Sequence, residues 1–169
     1  DLPNWGLAAK PQITDRLLRM LAALHGQIWN ASQVGKSMGL SYQTVNSYLD
    51  YLIGAFLIRR LPPYQVNIRK RLVKSPKVYW RDSGLLHALL NVTDKHALLA
   101  QPWVGASWEG FVIEHAVSEL ASLGKNFEAY YFRTSDQYEL DLVLDLGAEL
   151  LAIEVKLSSS PSRAEMARL

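Results

Sequence analysis

Apolar side chains recur at helical spacing through the first half of the chain and at strand spacing near its end. Ile13, Leu17, Leu18, Met20, Leu21 and Leu24 share one face of a helix predicted over residues 11–25, with Asp15 in its first turn. Residues 31–39 read as a short helix closed by Gly39. Ser41 then caps a longer one, in which Val45, Tyr48, Leu49, Leu52, Ile53 and Phe56 form the apolar stripe. Leu57–Leu61 is strand-like, Pro62-Pro63 breaks it, and Val78-Tyr79-Trp80 returns as a second strand. Asp82-Ser83 caps a helix through Leu90, and Ser107–Leu123 is helical. Three strands follow, at Ala129–Arg133, Glu139–Leu146 and Leu150–Leu157. Ser158-Ser159-Ser160-Pro161 then opens a last helix.

This order predicts an α/β chain: an N-terminal helix and a winged helix-turn-helix, then part of a restriction-endonuclease-like α/β module. The expected division is 1–90 for the helical module, 91–106 for a connector and 107–169 for a truncated second module. At 169 residues and 49% hydrophobic, the chain suffices for one compact domain or two small ones. The net charge of +2 hides an asymmetry. Residues 1–90 carry 12 basic and 4 acidic side chains, and residues 91–169 carry 6 and 12. Such halves suggest two modules with different partners. The absence of cysteine excludes disulfides, thiolate metal sites and a cysteine nucleophile, and fits a cytoplasmic location. The longest apolar stretch, Tyr51–Ile58, falls well short of the ~20 residues that span a bilayer, so no membrane partner is expected. No signal peptide opens the chain. It begins at Asp1 and ends in an unfinished helical pattern, which reads as a fragment of a longer protein.

Asn30 to Ser37 imitates a phosphate-binding loop, ending Gly35-Lys36-Ser37. Such a loop needs a preceding strand and a glycine in its first position. Here Asn30 takes that position after a helical segment, so a short helix with an exposed Lys36 is the better reading. The two helices joined by Gly39-Leu40-Ser41 have helix-turn-helix spacing. Tyr42, Gln43, Thr44, Asn46 and Ser47 on the second are candidate DNA contacts. The hairpin after it holds eight basic and no acidic residues between Arg59 and Arg81. Of these, Arg69, Lys70, Arg71, Lys74 and Lys77 are the candidate phosphate contacts. The plain alternative is a basic face that meets an acidic protein surface, and the second half of this chain is such a surface.

Glu139 to Leu146 alternates acids with leucines, as a half-buried strand does. Glu154 and Lys156 share one face of the next strand, and Asp141 can lie beside them if the strands are neighbours. Counting by helical turns from Glu109 reaches Ile113, Ala116 and Leu120, which puts Glu109 on the buried stripe and leaves Glu114 solvated. A buried carboxylate requires a partner. Glu109, Asp141 and Glu154 are therefore candidate ligands for Mg²⁺ or Mn²⁺. Lys156 would orient the attacking water or stabilise the transition state of phosphodiester hydrolysis.

Nearly the whole chain resembles the C-terminal region that follows the nucleotide-binding domain in many bacterial and archaeal AAA-type ATPases. The residues that carry this include Gly26–Ser32, Thr44–Asp50, Leu61-Pro62-Pro63-Tyr64, Lys74–Tyr79, Arg81–Leu86, Val104–Phe111 and Ile153-Glu154-Val155-Lys156. The second half also resembles PD-(D/E)-x-K nucleases. That resemblance implies Glu109 as the helix acid, Asp141 as the strand acid and Glu154 with Lys156 as the E-x-K pair. Together the resemblances imply DNA and the protein's own ATPase domain as partners, with the oligomeric state open. ATP would enter only through the upstream ATPase portion. They also imply a choice between Mg-dependent DNA cleavage and a non-catalytic adaptor or regulatory module built on a degenerate nuclease fold.

Overall fold

A computed structural model describes residues 10–65, 74–134 and 138–158. The chain is mixed α/β: a helical bundle with a two-stranded hairpin, then a long helix with a three-stranded antiparallel sheet. Helix α1 (Pro11–Ala23) starts on a proline, which costs nothing where the N–H has no helical partner. Its buried Thr14, Leu17, Leu21 and Ala22 form one stripe. Helix α2 (Ala31–Met38) is capped by Asn30, whose side chain accepts the Gln33 N–H, and stops at Gly39 in the left-handed region, φ 70°. Helix α3 (Tyr42–Gly54) is capped by Ser41 and buries Val45, Leu49 and Leu52. Gly35 lies inside α2, where a Cβ would come within 2.6 Å of the Leu40 carbonyl oxygen. The glycine of the phosphate-loop lookalike is thus a packing residue at a tight helix-turn-helix.

Strands β1 (Ile58–Leu61) and β2 (Lys77–Trp80) pair antiparallel, with Ile58 opposite Trp80 and Leu61 opposite Lys77. All four residues of β2 are buried. Two-residue alternation sends Val78 and Trp80 into the first core, with Leu17, Leu21, Val45, Leu49 and Leu52. Tyr79 enters the second, with Ile113, Val117, Tyr131, Leu142 and Leu144. Lys77 has the parity of Tyr79. The hairpin that follows the helix-turn-helix, as the winged-helix reading expected, is therefore a wall shared by two cores.

Helix α4 (Ser83–Leu89) is capped by Asp82. The stretch read as a connector contains a further short helix, α5 (Lys95–Leu99), capped by Asp94. The long helix α6 (Val104–Ser122) begins three residues before the predicted start. Strands β3 (Glu128–Arg133), β4 (Glu139–Asp145) and β5 (Leu150–Ile153) follow in sheet order β3-β4-β5. The Pro62 carbonyl accepts the Tyr131 N–H and the Tyr131 carbonyl accepts the Tyr64 N–H, so backbone hydrogen bonds tie the hairpin to β3. The helix expected after Ser158 lies outside the described residues.

His25 sits where α1, β2 and α6 meet. Its Nδ1 accepts the Trp80 N–H at 3.0 Å, and its Nε2 lies 3.1 Å from the Ala106 carbonyl oxygen, to which it donates as the Nε2–H tautomer. A Cβ on Gly110 would stand 2.4 Å from Nε2, so α6 approaches the ring only through a glycine. Burial lowers the His25 pKa to about 4, the Ala106 bond opposing and the His87 charge assisting. The unfolded chain takes up this proton near pH 6.5 and the folded chain only near 4, so stability present above pH 6.5 is lost as the pH falls to about 4. The loss amounts to about 3 kcal/mol. Urea unfolding from pH 7 to pH 4 should show it as a narrowing gap between the wild type and His25→Gln, which lacks the titration and is weaker at pH 7.

Candidate functional site: a carboxylate cluster closed by a lysine

The acids on α6 and β4 face the hairpin. Lys77, with its side chain 5% exposed, donates to Glu109 Oε1 at 3.0 Å and pairs also with Glu139. The Tyr79 hydroxyl donates to the same Glu109 oxygen at 2.5 Å. The Lys77 ammonium stands 5.6 Å from the centre of the Tyr131 ring, and Arg133 reaches the other Glu139 oxygen at 3.2 Å. Burial alone would lower the Lys77 pKa, but the charges of Glu109 and Glu139 outweigh it and hold the ammonium above its ordinary range. Burial and the Glu109 charge raise the Tyr79 phenol, so it stays a donor.

A second ionic contact lies five residues further along α6. Glu114 accepts from Arg59 at 2.7 Å and from Arg81 at 2.8 Å, with 15% of its side chain exposed. Glu114 is therefore not solvated: the hairpin covers the part of α6 that the helical count had left to water. Burial raises its pKa, and the two guanidiniums overcome this and leave the pKa lowered.

Asp141 and Glu154 come together as their spacing predicted. β4 and β5 are neighbours, with Leu142 opposite Ile153, and the same register continued by one residue puts Asp141 opposite Glu154. Asp141 Oδ2 accepts the Val155 N–H at 2.8 Å. This diverts a backbone donor from the strand ladder, and β5 ends at Ile153, four residues short of its predicted end. Burial and the nearby Glu109 charge raise the Asp141 pKa to about 6, while the Val155 bond and Lys77 pull it down. Lys156 is 2.5 Å from Glu154 Oε1.

Glu109, Asp141 and Glu154 are thus neighbours, and one oxygen of each is engaged: Glu109 Oε1 by Lys77 and Tyr79, Asp141 Oδ2 by the Val155 N–H and Glu154 Oε1 by Lys156. Among the described residues no three His, Asp or Glu side chains are arranged to hold a metal ion. In this arrangement the buried Lys77 ammonium supplies the positive charge to Glu109 that a divalent cation would otherwise supply.

The proposed DNA contacts are spread unevenly. Tyr42, Gln43 and Ser47 are exposed on α3. Thr44 is half-buried and bonded to Ser41, and the Asn46 Oδ1 accepts the Trp29 indole N–H at 2.9 Å, so neither amide nor hydroxyl is wholly free for a base. Lys74 is exposed, whereas Lys77 is consumed by the cluster. Arg69, Lys70 and Arg71 lie outside the described residues. Arg60 pairs with Asp50. Sequence reasoning missed Glu139 and Tyr79 as members of the site; the two-residue step from Glu139 to Asp141 and from Lys77 to Tyr79 was the available signal.

Residues 1–96 match the family described as Domain of unknown function (DUF8612). The chain belongs to this DUF8612 family. Residues 104–169 match a second one, Domain of unknown function (DUF4143). Two mycobacterial proteins, "Uncharacterized protein Rv2008c" of Mycobacterium tuberculosis and "Uncharacterized protein Mb2031c" of Mycobacterium bovis, are each 41% identical over 162 residues, 96% of this chain. The match covers 36% of each relative, and in the Mycobacterium tuberculosis protein it is the C-terminal third. No solved structure matches the chain significantly. No helix among the described residues is long and apolar enough to cross a membrane.

Three substitutions test this electrostatic arrangement. The raised Asp141 pKa means stability that is present below pH 3.8 and lost as the pH rises through about 6. Asp141→Asn should therefore stabilise the chain at pH 7.5 by about 1–2 kcal/mol, after allowance for partial exposure, and give no gain at pH 4. Lys77→Met should cost about 3 kcal/mol, because it leaves two carboxylates facing each other at a half-buried site. Adding Glu109→Gln should recover part of that loss. Urea midpoints at the two pH values measure both effects.

Proposed function

We propose that this chain is the C-terminal adaptor or regulatory part of an AAA-type ATPase, with a degenerate nuclease module that serves as a rigid platform. The observation that carries this is Lys77, held between Glu109 and Glu139 while Tyr79 occupies the same Glu109 oxygen. Metal-assisted phosphodiester hydrolysis needs carboxylate oxygens open to a cation and to a water. Here one Glu109 oxygen binds the hairpin through Lys77 and Tyr79, while one Asp141 oxygen binds the Val155 N–H and one Glu154 oxygen binds Lys156. In this reading Glu109 and Glu139 are structural: they neutralise Lys77 and fix the hairpin against α6 and β4. The match to only a third of the mycobacterial proteins supports a part that works within a larger chain. ATP chemistry belongs to the rest of such a protein.

DNA contact remains part of this reading, on a smaller footprint than the charge run suggested. Arg59, Arg60, Lys77 and Arg81 are bound to carboxylates. The proposed contacts are Lys74, exposed, and Arg69, Lys70 and Arg71, which lie outside the described residues, together with the exposed Tyr42, Gln43 and Ser47. A second reading, Mg- or Mn-dependent DNA cleavage, draws on the raised Asp141 opposite Glu154 and on Lys156 beside it.

One set of measurements separates the two. Four available cations should give a salt slope for duplex binding no steeper than about −4, against about −7 if all eight met phosphates. Reversing Arg69, Lys70 and Arg71 should remove most of that slope. With Mg²⁺ or Mn²⁺, duplex, single-stranded and branched DNA should all remain intact. Cleavage by the wild type that disappears in Lys156→Ala would overturn the adaptor reading.

A further inference from the structure

On the side of α6 away from the carboxylate cluster is an apolar groove that neither reading uses. Helices α4, α5 and α6 form it, and Leu98, Leu99, Val104, Trp108, Phe111 and Leu157 supply its walls. Trp108 and Phe111 stack at 5.5 Å and stay 39% and 40% exposed, and Leu99 is 56% exposed. The groove encloses about 280 Å³, near the lower end of the range for small-molecule pockets. On its floor the Ser107 hydroxyl, 5% exposed, lies 2.8 Å from His87 Nε2. These two groups satisfy each other, so the interior makes little polar demand on a guest. Lys95 stands on the wall, exposed, with no carboxylate partner among the described residues.

We propose that this groove binds a small anionic amphiphile, a monocarboxylate whose apolar tail lies against Trp108 and Phe111 and whose carboxylate meets Lys95. Apolar walls give such a ligand most of its affinity, and a single placed cation gives it direction. The polarity follows from the residues. An apolar molecule without a charge would leave Lys95 unused, and a cation would meet Lys95 with like charge. A charged head directed inward would lose its water against Leu98 and Val104 without a free donor to replace it. A chain of about the length of octanoate suits the size of the groove.

The test is a titration of the 169-residue chain with octanoate, octanol and octylammonium, followed by tryptophan fluorescence and by calorimetry. Octanoate should bind saturably, and more tightly than octanol; octylammonium should bind most weakly. Lys95→Ala alters an exposed residue and should weaken octanoate about three- to tenfold, the size of a partly exposed ion pair, while leaving octanol unchanged. Phe111→Ala should weaken both. Vesicles of anionic phospholipid distinguish a free amphiphile from a lipid surface, and they should not bind the chain. Saturable binding of none of the three probes, equal octanoate binding with and without Lys95, or binding to vesicles in place of octanoate would each overturn the proposal. No outcome depends on nuclease or ATPase activity, so the adaptor reading stands or falls separately.

Discussion

The structure depends on three cations of one hairpin finding two carboxylates of one helix. Lys77 meets Glu109, and Arg59 and Arg81 meet Glu114, five residues further along α6. All three cations come from β1, β2 and the residue after it, and β2 already forms the edge of the first core through Val78 and Trp80. The ionic seam thus fixes the second body to a surface that hydrophobic burial had placed. Each contact has little water around it, so removing one partner costs far more than removing an exposed pair. Tyr79 shows how closely the seam and the second core are joined: its ring packs with Ile113 and Tyr131 while its hydroxyl binds Glu109.

This explains the opposite charge of the two halves. A net positive half and a net negative half suggested separate partners, yet much of the complementarity is satisfied inside the chain. Composition cannot separate these cases, because a side chain carries the same charge in an internal pair as on a phosphate. The separation comes from parity along β2. With Val78 and Trp80 committed to one core, Lys77 and Tyr79 must point to the other side. Whatever covers that side decides whether the lysine is a ligand or a staple, and α6 with β4 covers it.

Local patterns gave the elements well, because each rests on neighbours in sequence. The caps at Ser41 and Asp82, the stop at Gly39 and the alternation in β4 all appear where spacing placed them. Apart from the five-residue α5, the failures were long-range. α5 was hidden in a segment too short to show periodicity, and β5 stops early because a carboxylate from the neighbouring strand takes the Val155 N–H. Glu114 looked solvated because the helical count sees only α6 and not the hairpin packed against it. Within the site, the proximity of Asp141 to Glu154 was legible from strand parity, and the inward Glu109 from helical phase. The occupant of the cluster was not, since no local rule brings residue 77 to residue 109.

The difference between a hydrolytic and a structural carboxylate cluster therefore lies in what fills it. Asp141 carries a strain of its own: its carboxyl is half-buried beside another acid, and burial together with the Glu109 charge raises its pKa to about 6. A neutral residue at this position would relieve that strain, and an asparagine Oδ1 could still accept the Val155 N–H. As an acid, Asp141 closes the end of β5 through Oδ2 and Val155. Asp141 thus contributes a backbone hydrogen bond at the cost of a desolvated charge, and Lys77, within range of its field, lowers that cost. The hairpin lysine both holds the two bodies together and makes the remaining acid tolerable, which couples the geometry of the sheet edge to the closure of the seam.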